Sequence, residues 1–184
     1  TFSHRFVPVK FLDAKADSGF ISVGSAGLVI AAQAQGALIA GRCGADDENF
    51  SCWHEDLGKR HSSVVALIQL ADSGEKKAIA IMDDGESVFL LPDLKSKKMR
   101  ISKAGNLLSG GDGEITFAGE FPRQTDRNPI LIYGTKAGIE AAAITASSGG
   151  TQLLRPMRIP PMVPESDADG IVAEDPDHGQ RHHR

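Results

Sequence analysis

Three apolar hairpins, each turning at a glycine, constrain this chain more than any other feature. Ala78 to Met82 is apolar throughout, Asp83-Asp84-Gly85 supplies a tight turn, and Ser87 to Leu91 returns. Asp and Gly tolerate the positive φ that hairpin turns demand. Pro92 is expected to stop the return strand, because it removes a ladder donor. The pattern recurs in Leu28–Ala32 turning near Gly36 into Ala37–Ala40, and in Pro129–Tyr133 turning near Gly138 into Ile139–Ile144. The turn glycines lie 49 and 53 residues apart. That period matches one four-stranded propeller blade. The expected fold is therefore all-β: four-stranded antiparallel blades of a β-propeller. About three blades fit the chain, and a closed ring takes about 4–8. The chain thus reads as a fragment of a larger propeller, with a propeller segment over 1–159.

The intervening segments fill out the blades. Arg5 to Leu12 and Phe20 to Val23 read as strands. Leu28 to Arg42 is rich in alanine, which suits a helix. Gly36 in its middle and Gly41 at its end favour the hairpin, and its small side chains let neighbouring sheets approach closely. Val64 to Leu70 is a nearly continuous apolar run with β-branched residues, as in a strand buried on both faces. Lys95, Lys97, Lys98 and Arg100 give the next strand the cationic character of an exposed edge. Glu114 to Ala118 and Thr151 to Met157 complete the third unit. Residues 160–184 are acidic and punctuated by Pro160, Pro161, Pro164 and Pro176. Such a tail buries too little apolar surface to offset its ordering entropy, so disorder is expected there.

Cys43 to Ser63 breaks the periodicity and reads as a loop of about twenty residues, beyond the roughly 12–15 above which loops tend to be functional or disordered. It carries Asp46, Asp47 and Glu48, then the only tryptophan, Trp53, and His54. These five residues are the candidate partner-binding set. The alternative is a solvated insertion with Trp53 tucked onto the body. Cys43 and Cys52 flank the acidic part. Two cysteines in 184 residues do not make a secreted disulfide scaffold. A Cys43–Cys52 disulfide is possible, but reduced thiols in a cytoplasmic protein are the default expectation.

No motif for chemistry stands out. His54, Asp56 and His61 match no zinc spacing. The glycines from Gly105 to Gly113 lack the Lys-Ser/Thr ending of a P-loop, and Gly24 to Gly27 fails a dinucleotide fingerprint. Ser62-Ser63 and Asp83-Asp84 offer nucleophile and carboxylate atoms without a visible constellation. No metal or cofactor is expected. A formal charge of −4 argues against nucleic acid as a partner. Nothing apolar is long enough to span a membrane as a helix. Thr1 at the start leaves one enzymatic alternative, a small β-rich hydrolase with an N-terminal threonine nucleophile.

The segment Glu86 to Lys95, with Phe89-Leu90-Leu91-Pro92-Asp93-Leu94-Lys95 at its centre, resembles the lethal-giant-larvae/tomosyn family of double β-propellers. Phe20 to Arg42 and His61 to Leu67 support it in the same order. The resemblance implies a non-enzymatic scaffold that regulates vesicle docking and exocytosis by binding SNARE proteins. It also implies a cytoplasmic location, peripheral at the plasma membrane. The chain departs from the family in holding only about three blades, and its tail lacks SNARE-like heptads.

Overall fold

The computed structural model describes residues 15–24, 26–46, 49–69, 77–108, 113–121, 129–146 and 152–157. The expected strand Arg5–Leu12, Thr1, the 70–76 connection and the tail lie outside them. The described residues form twelve strands and no helix. They are β1 (Ser18–Gly24), β2 (Gly27–Ala34), β3 (Ala37–Asp46), β4 (Asn49–Lys59), β5 (Val64–Gln69) and β6 (Ala78–Met82). The rest are β7 (Glu86–Asp93), β8 (Lys98–Asn106), β9 (Phe117–Glu120), β10 (Ile130–Thr135), β11 (Gly138–Ala146) and β12 (Gln152–Met157). They make three antiparallel sheets, β1 to β4, β5 to β8 and β9 to β12, each with its strands in chain order.

The alanine-rich segment is a hairpin, as Gly36 suggested. Gln35 and Gly36 both take positive φ, 52° and 78°, the pair that a two-residue primed turn requires. Gly85 (φ 89°) closes the middle turn, with its amide 3.0 Å from the Met82 carbonyl. A Cβ there would crowd Asn106 and Leu108.

Two expectations change. Pro92 does not stop β7, which continues to Asp93 and pairs Pro92 with Met99. The β6 ladder ends at Leu90, so Pro92 lies where no donor is needed on that side. The expected loop Cys43–Ser63 is mostly a hairpin. β3 runs on to Asp46 and β4 returns from Asn49, with Arg42 opposite Trp53 and Cys43 opposite Cys52. Period-2 hydrophobicity is weak there because β4 is an edge strand with polar residues on both faces.

The sheets stack face on face, with like strands adjacent: β1 beside β5, β5 beside β9, β4 beside β8 and β8 beside β12. Val29, Ala31, Leu38 and Ala40 of the first sheet share a core with Ala78, Ala80, Met82, Val88 and Leu90 of the second. Ile79, Ile81 and Phe89 point the other way and share a second core with Leu131, Tyr133, Ala142 and Ile144. The middle hairpin is thus buried on both faces. That is why Ala78 to Met82 shows no polar alternation, and all five residues are buried.

Two buried glutamines latch the first interface. The Gln33 amide donates to the Ser62 carbonyl and its oxygen accepts from the Val64 amide, both at 2.9 Å. Gln69 accepts from the Ala26 amide at 2.9 Å and donates to the carbonyls of Ser22 and Gly27 at 2.9 and 2.7 Å. Buried side-chain amides are retained only when both ends are satisfied, and here both are.

Candidate interaction surface

Of the five candidate residues, Asp46 ends β3, and Trp53 and His54 lie on β4 with their side chains on opposite faces. Neighbours on a strand point to opposite sides of a sheet. Trp53 turns inward, and its ring packs half-buried against the core between the first and second sheets. Its neighbour Leu57 lies on the same face and joins the same core. Glu55 shares that face and accepts the Met99 amide at 2.6 Å, tying β4 to β8. His54 is exposed on the other face. Asp46 ends β3 opposite Asn49, and Asp47 and Glu48 lie outside the described residues. Trp53 therefore serves the body, while His54 is exposed on the opposite face of β4.

Cys43 and Cys52 form a disulfide across β3 and β4. This corrects the expectation of reduced thiols. The two residues are direct partners in the ladder, so pairing the strands brings the sulfurs together. Nothing in the spacing of Cys43 and Cys52 shows that register before the strands pair.

The serine and aspartate pairs are used structurally. The Asp83 amide donates to the Ser63 carbonyl at 2.8 Å, and the Ser63 amide donates to Asp83 Oδ1 at 3.1 Å. The contact runs through main-chain amides, so it clamps the β4–β5 connection to the middle turn and activates no hydroxyl. Asp84 accepts the Glu86 amide at 3.0 Å within the same turn. Asp56 accepts the Gly58 amide at 2.8 Å. Among the described residues no group of three or more His, Cys, Asp or Glu side chains is placed to hold a metal ion.

The segment that carries the family resemblance is the end of β7 and the turn after it. Asp93 Oδ1 accepts the amides of Lys95 and Ser96 at 3.0 and 3.3 Å. The Ser96 amide and side chain, and then the Lys95 amide, hold the Asp93 carboxyl below the usual carboxylate range. Lys97 takes φ 55° to complete the reversal into β8. Leu94 is exposed at the tip, with Lys95, Ser96 and Lys97 around it. Aspartate and leucine thus have different tasks: one caps the turn and the other faces solvent.

Comparison with family models, with curated proteins and with solved structures returned no match.

Proposed function

We propose that this chain is a non-enzymatic protein–protein interaction scaffold made of β-propeller blades. The observation that carries the reading is the stack of three up-and-down, four-stranded sheets with first strands beside first strands and last beside last. Successive blades of a propeller would pack in this way, which supports the reading. Turns such as Asp93–Lys97 then present short polar loops at the rim, where binding residues are expected on a rigid scaffold.

The resemblance extends this to SNARE binding in exocytosis, at the cytoplasmic side of the plasma membrane. The test is calorimetric titration of the folded chain with an assembled plasma-membrane SNARE helix bundle. Saturable binding that weakens when Asp46, Asp47 and Glu48 are replaced by lysine supports the SNARE reading. A folded chain that releases no heat of binding at any concentration removes it.

A second reading of the compartment has its own support in the Cys43–Cys52 disulfide. Disulfides persist in oxidising surroundings and are rare in the reducing cytosol. On this reading the scaffold works outside the cytosol and its partner is not a SNARE. The oxidation state of Cys43 and Cys52 in protein trapped with an alkylating agent directly from cells separates the two.

A further inference from the structure

Both ends of the three-sheet stack are apolar. On β1, Phe20 faces the shared core, so its neighbour Ile21 faces away. Ile21 is 66 % exposed and Val23 76 %. They lie opposite Ile30 and Leu28 in the ladder, which makes one apolar strip on the outer face of the first sheet. The third sheet has the same character on its far side. Leu131 and Tyr133 face the second sheet, so Ile132 and Gly134 face outward. Gly134 is flanked in the ladder by Phe117 and Ile139, and the Phe117 ring lies over it. Ile139 is 62 % exposed and Phe117 49 %.

Each sheet in the stack has two unlike faces. The face of the first sheet that meets the second corresponds to the outer face of the third. The face of the second sheet that meets the first corresponds to the outer face of the first. Placing a third-sheet outer face on a first-sheet outer face therefore repeats the two interfaces already present within the chain. First-on-first or third-on-third would reverse the progression. We propose that these two faces dock head to tail between two copies of this chain, giving a ring of six sheets. This rests on the blade reading, and it makes the second copy the source of the missing blades. Six lies within the about 4–8 that closed propellers use, and a head-to-tail contact is finite only when its rotation closes.

The test is the mass of the 184-residue chain in solution by sedimentation at micromolar concentration, with circular dichroism to establish that each sample is folded. A dimer is expected. Val23→Lys and Ile139→Lys each place a charge on one of the two faces at an exposed position, and each is expected to weaken dimerisation at least tenfold. Mixing the two variants is expected to restore part of the dimer, because one intact face of each kind then meets. A folded wild-type monomer overturns the proposal. So does a dimer disrupted by only one of the variants, or one that mixing fails to restore. A folded monomer that still binds the SNARE bundle leaves the scaffold reading intact. A normal dimer without binding removes the SNARE reading and leaves the docking in place.

Discussion

Gln69 on β5 holds Gly27 at the start of β2 through a 2.7 Å bond from its side-chain amide to the glycine carbonyl. The same side chain accepts the Ala26 amide and donates to the Ser22 carbonyl, so one residue satisfies three backbone groups of the neighbouring sheet. Gly24 makes this possible. A Cβ there would stand 2.6 Å from the glutamine oxygen. A latch that replaces water at buried backbone groups stabilises chiefly by what its loss would leave unpaired.

Gln69→Leu is therefore expected to be strongly destabilising. Orphaned buried groups cost about 1–3 kcal/mol each, so a loss of about 3 kcal/mol is expected even if one of the three finds water. Chemical denaturation of the chain measures it as a shift in midpoint. Gly24→Ala is expected to destabilise wild type more than a Gln69→Ala variant, because that variant lacks the glutamine Oε1 and Cδ that the new Cβ would meet. Equal costs in both backgrounds would show that the glutamine does not fill the space beside Gly24.

Tyr133 carries the pH dependence at the alkaline end. Its ring is buried between the second and third sheets, and its hydroxyl donates to the Leu107 carbonyl at 3.2 Å. Burial, and then the nearby Glu140 carboxylate, push its pKa up from 10.0 to about 12. The folded state thus favours the protonated phenol. Its contribution is complete below pH 10, and it is lost as the pH rises from 10 through 12, where only the unfolded chain ionises freely. The loss should reach about 2 kcal/mol. Thermal melts between pH 9 and 12 should show a falling Tm in wild type and a shallower fall in Tyr133→Phe.

The disulfide should matter for stability in proportion to the small loop it closes. Cys43 and Cys52 are separated by 9 positions. Reduction, or Cys43→Ala with Cys52→Ala, is expected to cost about 2–3 kcal/mol while leaving the sheet in place. Denaturation with and without reductant measures this. An unchanged midpoint in the alanine pair would show that the β3–β4 ladder holds itself.

Much of this fold is legible in the sequence because it is local. Alternation, turn glycines and a period of about fifty residues specify hairpins, and short apolar runs specify the buried strands. The Ala78–Met82 run even carries its environment, since only a strand covered on both faces drops polar residues altogether. The β3–β4 hairpin was not legible. An edge strand has one solvated side and tolerates polar residues on both faces, so Cys52 to Lys59 has no period to read.

The candidate surface was decided by register. Trp53 and His54 are adjacent in sequence, yet the pleat sends one into the core and the other to solvent. The cysteines nine positions apart became partners only when pairing placed Cys43 opposite Cys52.

The sequence by itself determined the element type, the three-fold repetition of the hairpin and the turn chemistry at Gly36 and Gly85, because those depend on backbone preference and near neighbours. The tertiary structure alone decided which face of each strand meets which sheet and how Gln33 and Gln69 find their backbone partners. It also left Ile21 and Ile139 at the open ends of the stack. Those outcomes depend on contacts between residues distant in the chain, and no local pattern encodes them.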